Sequence, residues 1–205
     1  MSCCSKIICN GCVYANQIRE MEGRLEQRCL FCRHPLPETQ EECDLIVMKR
    51  IQANDPVAIH DMGLKYYIEG DYGGAFKYFA KAAELGEAEA HYVLSVMYRE
   101  GKGVEEDEKK KLHHLEEAAI VGHPDARYNL ASYEWNNFKF KRAMKHWIIA
   151  AKLGCDESMK TMKRGYAMGE VSEEDFATAL RAYQAAVDTV KSPQREAAEV
   201  VHTKV

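Results

Sequence analysis

From residue 54 to residue 190 apolar positions recur three and four apart, the period of a helix with one buried face. A first set of helices carries Ala58, Met62 and Tyr66, then Ala90, Leu94 and Tyr98, then Ala126 and Leu130. A second set alternates with it, through Ala75, Phe79, Ala82 and Ala83, then Leu115, Ala118 and Ala119, then Ala143, Trp147, Ala150 and Ala151. Each second helix closes with an Ala-Ala pair followed three residues later by glycine, at Gly86, Gly122 and Gly154, and the spacings are 36 and 32 residues. That is the length of one helix-turn-helix unit, and its recurrence predicts a stacked helical array. Small residues, Gly63, Ser95 and Ala131, follow the leading apolar residue of the first helices and let a neighbouring backbone approach. A weaker fourth unit follows, with Ser158, Met162 and Tyr166 and then Ala179, Tyr183, Ala186 and Val187; Val190 stands where a glycine would close it. Ser172, followed by Glu173, Glu174 and Asp175, predicts an N-cap with acids on the first turn.

The first 43 residues hold seven of the eight cysteines. Cys9-x2-Cys12-x16-Cys29-x2-Cys32 has the spacing of two knuckles that each present two thiolates to one tetrahedral zinc ion. Zinc binding worth on the order of 10 kcal/mol replaces the core that so short a segment cannot build. Between the knuckles, Ile18, Met21 and Leu25 predict a short amphipathic helix over 13–26. Thr39-Gln40-Glu41-Glu42 is a capping box that opens a helix with Leu45, Met48 and Ile51 on one face. The expected organisation is a zinc-binding module at 1–37, a linker helix at 38–53, the array at 54–190 in units of 54–86, 87–122, 123–154 and 155–190, and a tail at 191–205.

Composition narrows the class. With 205 residues, 46% apolar and 29% charged, the chain has enough apolar surface for a packed array, and no apolar run approaches the roughly 18 residues of a membrane span. The start lacks the apolar stretch of a secretory signal, and cysteines crowded at one end favour metal over disulfides in a reducing compartment, so a cytoplasmic or nuclear protein without a membrane partner is expected. The net charge of −4 divides unevenly. Residues 69–122 hold twelve acids against seven bases, and residues 124–166 nine bases against four acids. Nothing in the basic stretch resembles a nucleic-acid motif.

The repeat resembles the Sel-1-like repeat, a relative of the tetratricopeptide repeat, through Ala-x3-Leu-Gly-x2-Tyr, Gly-x-Gly-Val-x2-Asp and Ala-Ala-x2-Gly. The second unit matches most closely, at Gly101-Lys102-Gly103-Val104-Glu105-Glu106-Asp107. The turns at Glu69-Gly70-Asp71-Tyr72 and Asn136-Asn137-Phe138-Lys139 are four residues shorter, and Lys111, Glu134 and Lys163 depart from the pattern. The resemblance implies an all-α, right-handed α-solenoid whose first helices line a concave groove. It places His60, Tyr92 and Tyr128, and Tyr67, Arg99 and Trp135, at two positions facing that groove, where a protein or peptide partner would lie against rigid aromatic surface.

A second resemblance is to the latter part of a RING-type cross-brace finger. Cys4-Ser5-Lys6-Ile7-Ile8-Cys9-Asn10-Gly11-Cys12 and Cys29-Leu30-Phe31-Cys32-Arg33-His34-Pro35 carry it, with Lys6 and Leu30 departing from the family's His and Pro. It leaves two ligand sets open: Cys9, Cys12, Cys29 and Cys32 around one ion, or Cys29 and Cys32 completed by Cys3 and Cys4. The expected function is a monomeric, non-enzymatic adaptor. The alternative is a RING-type ubiquitin ligase or ligase subunit, truncated before its first cysteine pair, with a ubiquitin-conjugating enzyme as partner. A hydrolase is disfavoured, because His91, His113, His114, His123 and His146 stand near no nucleophile at a telling spacing.

Overall fold

The computed structural model describes residues 10–23, 28–29, 32 and 34–192. The chain divides into two compact units, residues 1–58 with 190–205, and residues 59–189.

In the first unit, helix α1 (Asn10–Glu22) begins earlier than the expected 13–26. Cys12 is therefore on the helix rather than ahead of it, and residues 24–27 lie outside the described residues. After α1, Arg28 and Pro35 form an antiparallel bridge, and the Cys29 N–H donates to the His34 carbonyl at 2.8 Å. Cys29 and Cys32 both fall between the two bridged residues. The Glu20 carboxylate, buried, accepts from the Arg28 N–H at 3.3 Å. Helix α2 (Gln40–Gln52) starts at the predicted box: Thr39 Oγ1 accepts from the Glu42 N–H at 3.2 Å, while the Glu42 carboxylate reaches back to the Glu38 N–H at 2.9 Å. Asp55 joins α2 to α3 (Pro56–Ile68), pairing with Arg50 at 3.0 Å and accepting from the Val57 N–H at 3.1 Å.

The second unit continues through α4 (Tyr72–Glu84), α5 (Ala88–Glu100), α6 (Glu108–Val121), α7 (Pro124–Asn136), α8 (Phe140–Lys152), α9 (Asp156–Ala167) and α10 (Glu173–Val190). The Ala-Ala-x2-Gly motif explains how one repeat hands over to the next. Each glycine is left-handed, at φ of 84°, 103° and 83° for Gly86, Gly122 and Gly154. That turns the chain so that the glycine N–H bonds the second alanine's carbonyl and the next N–H bonds the first alanine's, closing a Schellman motif. The pairs are Gly86 to Ala83 (2.8 Å) with Glu87 to Ala82 (3.1 Å), Gly122 to Ala119 (3.1 Å) with His123 to Ala118 (3.0 Å), and Gly154 to Ala151 (2.9 Å) with Cys155 to Ala150 (3.0 Å). The alanine side chains are buried between helices. One dipeptide therefore ends the helix with its backbone and admits the neighbouring helix with its methyl groups.

Bulky side chains fill the gaps between the small ones. Phe79 lies fully buried against Gly63, where an added Cβ would sit 2.9 Å from its ring. Gly103 in the longer turn of the second repeat is equally constrained, because a Cβ there would collide with the Tyr72 carbonyl. Ala131, Ala143, Trp147, Ala151, Met162 and Ala179 join one core cluster, so the fourth helix pair packs as a continuation of the array. Its predicted N-cap is present, with Ser172 Oγ accepting from the Asp175 N–H at 3.1 Å. Tyr166 departs from expectation. Rather than entering the core it is 43% exposed and stacks on Phe176, 4.9 Å between centroids, because Gly165 beside it takes the close approach to Val171.

The turn from first to second helix repeats the same closure with left-handed Gly70 (φ 86°) and Gly169 (φ 75°), but in the third repeat the position belongs to Phe138 (φ 60°). Its N–H bonds the Trp135 carbonyl at 2.9 Å and the Lys139 N–H bonds that of Glu134 at 2.9 Å. A bulky L-residue in this region is an outlier. Glu134, standing where the repeat pattern has Tyr, is buried and pairs with Arg142 at 3.0 Å and Lys139 at 3.5 Å, which ties the same turn down.

These closures predict opposite effects of two substitutions in urea denaturation. Gly122→Ala meets open space, so its loss is backbone strain alone and lowers stability by about 1–2 kcal/mol. Phe138→Gly relieves strain and raises stability by a net 0.5–1 kcal/mol or so, after the larger unfolded-state entropy of glycine. A Phe138→Gly midpoint below the wild-type value would refute the strain.

Candidate functional site

Helices α5, α7 and α9 are the first helices of successive repeats, and two cavities lie in series along them. Between α5 and α7 a cavity of about 200 Å³ is lined by Ser95, Arg99, Asn129, Ser132 and Asn136, with Lys111 and Leu115 of α6 also on its wall. Between α7 and α9 a second, of about 220 Å³, is lined by Ser132, Asn136, Thr161, Arg164, Trp135 and Trp147. Ser132 and Asn136 belong to both, which makes the two cavities one track. Asn129, Ser132 and Asn136 fall three and four apart on the face of α7 that the neighbouring helices leave uncovered. Beside the second cavity an open recess of about 610 Å³ lies over Trp135, Phe138, Phe140 and Glu170.

Of the six groove residues expected from the repeat pattern, Arg99 lines the first cavity and Trp135 the second. The others are engaged with neighbouring repeats, with turns or, for His60, with the second helix of its own repeat. Tyr92 stacks on His123 of the next repeat, with centroids 4.4 Å apart and rings 22° from parallel, and its hydroxyl accepts from Asn129 Nδ2 at 3.4 Å. Burial pushes its phenol up, against the opposing pull of the Asn129 hydrogen bond. Tyr128 meets Thr161 Oγ1 of the following repeat at 3.3 Å. His60 lies tilted against Phe79, 5.4 Å between centroids. Tyr67 packs edge-on against Tyr72 at 5.0 Å and accepts from Lys102 Nζ at 3.3 Å. The pattern missed Asn129, Ser132, Asn136, Thr161 and Arg164. Asn129, Ser132 and Asn136 form a polar row at helical spacing on α7, and Thr161 and Arg164 a counterpart on α9.

His91, His114, His123 and His146 link neighbouring helices and line neither cavity. His123 caps α7: its Nδ1 accepts from the Ala126 N–H at 3.3 Å, so Nε2 carries the proton and donates to Glu89 at 3.0 Å. That bond holds the Glu89 carboxyl below its ordinary range. His91 Nδ1 and His114 Nδ1 face each other at 3.0 Å between α5 and α6. His146 lies 3.4 Å from the Arg127 guanidinium, and burial, followed by that charge, pushes it down.

In the first unit Cys29 is buried, while Cys12 and Cys32 are exposed. Cys3, Cys4 and Cys9 lie outside the described residues. Among the described residues no three His, Cys, Asp or Glu side chains converge as a metal site would require.

Residues 57–87, 88–123 and 124–155 match the Sel1 repeat. The structure is similar to that of a Sel1 repeat protein from Oxalobacter formigenes, with a TM-score of 0.60 and 25% identity over 75% of this chain and 66% of that one. It shares its fold with c5321, a protective antigen of uropathogenic Escherichia coli that displays the same repeat fold, at a TM-score of 0.53 and 20% identity over 83% of this chain and 37% of that one. In sequence, 56 residues are 43% identical to the Helicobacter pylori protein named "Putative beta-lactamase HcpC". They cover 27% of this chain and 19% of that relative, so the match spans about a fifth of its length. No helix among the described residues is long and apolar enough to cross a membrane.

The histidine pair inside the second repeat is expected to give the array a pH dependence. Burial first, then His91, His113 and Lys110, push His114 down from 6.5 to about 4, and burial lowers His91 as well. Between those values the unfolded chain binds the proton that the folded chain refuses, so stability is full above about pH 6.5 and falls toward pH 4. For a half-buried imidazole, discounted for solvent screening, the loss is on the order of 1–2 kcal/mol. Urea midpoints at pH 7.5 and pH 5 measure it, and His114→Gln should show the smaller drop. An equal drop in that variant removes the pair as the cause.

Proposed function

We propose that the Sel1 array is a non-enzymatic adaptor that holds an extended segment of a partner protein along α5, α7 and α9. The observation that carries this reading is the continuity of the track. Ser132 and Asn136 border both cavities, so a ligand longer than either would pass over them. The lining mixes hydroxyl, amide and guanidinium groups, with Lys111 and Glu170, among aliphatic and aromatic side chains, a mixture suited to a peptide backbone with occasional apolar side chains. Selection of random peptides on the full chain tests it. Enriched peptides should bind Ser132→Arg, which fills the shared stretch, at least tenfold more weakly, and equal binding to the variant would overturn the reading.

We further infer that the N-terminal segment holds zinc through Cys9, Cys12, Cys29 and Cys32, with Cys3 and Cys4 as the alternative partners of the second pair. The support is the x2 spacing of both cysteine pairs, together with the position of Cys29 and Cys32 between the bridged Arg28 and Pro35, where the Cys29 N–H is held by the His34 carbonyl. The ion would supply folding free energy there and no chemistry on a substrate. Metal analysis of the purified chain should find zinc that Cys29→Ser loses. If Cys9→Ser keeps it in full, the set of Cys9, Cys12, Cys29 and Cys32 is wrong. The ligase alternative rests on the cysteine pattern alone, and an autoubiquitination assay decides it.

A further inference from the structure

Of the two cavities in the track, only the one between α5 and α7 carries bases and no acid. Arg99 and Lys111 both line it and no Asp or Glu does, whereas Glu170 balances Arg164 in the cavity between α7 and α9. The rest of its polar wall is neutral, made by the Asn129 and Asn136 amides and the hydroxyls of Ser95, Ser132 and Tyr133.

Both bases are peculiar to the second repeat. Lys111 stands seven residues before the Ala-Ala pair, the position that Ala75 and Ala143 hold in the neighbouring second helices and Ala179 in α10, all three fully buried. A methyl group there lets the helices close. Lys111 instead passes its aliphatic stem through that layer, its side chain 20% exposed, and brings its ammonium to 5.9 Å from the centroid of the Tyr133 ring on the cavity wall. Arg99 stands where the first and third repeats have Tyr67 and Trp135. Neither charge is repaid by the pair that holds it. Lys111 bonds Glu108 at 2.8 Å, one turn earlier on the same helix, and Arg99 bonds the adjacent Glu100 at 2.9 Å; both pairs reach solvent, Glu108 being 60% exposed, and pairs of that kind contribute little. Glu100 also takes Lys102 at 2.9 Å, so Arg99, Lys102 and Lys111 share two carboxylates, and neither of those lines the cavity.

Building on the adaptor reading, we propose that the cavity between α5 and α7 receives an Asp or Glu side chain of the bound segment, its carboxylate held between the Arg99 guanidinium and the Lys111 ammonium with the Asn129 and Asn136 amides beside it. A carboxylate seated there gains charge-assisted hydrogen bonds in a recess less screened by water than the helix surface that Glu100 and Glu108 occupy. The hydroxyls and amides of α7 accept any peptide backbone. The two bases make the second repeat the part of the track that selects sequence.

Lys111→Met keeps the stem and removes its charge, and Arg99→Gln removes the other at a position 53% exposed, so both variants leave the packing in place. The probes are random nine-residue peptides selected on the full chain, displayed with their C termini fused to the carrier so that only side chains supply a carboxylate. Enriched sequences should share an Asp or Glu. In amidated synthetic copies, replacing that acid by its amide should weaken the Kd about tenfold on wild type and less than about threefold on the Lys111→Met, Arg99→Gln double variant. Enrichment without an acid, or an equal loss on wild type and double variant, overturns the carboxylate site; if the same peptides still lose binding to Ser132→Arg, the adaptor reading stands. The urea midpoint of Lys111→Met should match or exceed that of wild type, and a lower one assigns the ammonium to the fold and also overturns the proposal. If no enriched peptide depends on Ser132, the adaptor reading itself falls, and this site with it.

Discussion

Everything in the array depends on how a helix is stopped. A helix end leaves carbonyls without partners, and in a stacked repeat those carbonyls lie against the next element, where water cannot serve them. The Ala-Ala-x2-Gly closure and the residue after it satisfy two of them within six residues, and the same two alanines keep the helix surface shallow enough for its neighbour to approach. Larger side chains at either alanine would separate the helices, and any other residue at the glycine would resist the reversal. Packing and termination are therefore one constraint, which is why the motif survives in three repeats whose other residues differ widely.

That constraint leaves a limited set of positions for function. The core row of each first helix is committed to stacking, and the adjoining aromatic row is largely committed as well. Tyr92 and Tyr128 lie where a ring can reach the following repeat, onto His123 in one case and Thr161 in the other. Those rings hold the spacing between repeats. What faces the open track is the polar row of α7 with its counterparts on α5 and α9.

The fold was largely legible before any coordinates, because Leu94, Phe79, Ala118 and Trp147 obey a period that only a helix pair satisfies. The site was less so. Periodicity says which face of a helix is buried but not how far a side chain on the border reaches, and a tyrosine there can turn outward or across to its neighbour. Phe138 was illegible for a different reason. Its turn is visibly short in the sequence, but a phenylalanine carries no sign of the left-handed backbone that glycine announces at Gly70 and Gly169. Tyr166 misled in the opposite sense, since its spacing places it in the core and only the adjacent Gly165 shows why another residue takes the contact.

The residue that follows each closing glycine serves two helices at once. Glu87, His123 and Cys155 donate the last hydrogen bond of one helix and stand as the N-cap of the next. No linker exists between repeats, and a single inserted residue there would break two helix ends and rotate every later repeat out of phase. Length variation is confined to the turn within a repeat, where the second repeat carries four more residues than its neighbours and still closes at Gly122. Evolution can thus lengthen loops at one edge of such an array without disturbing the pitch of its binding track.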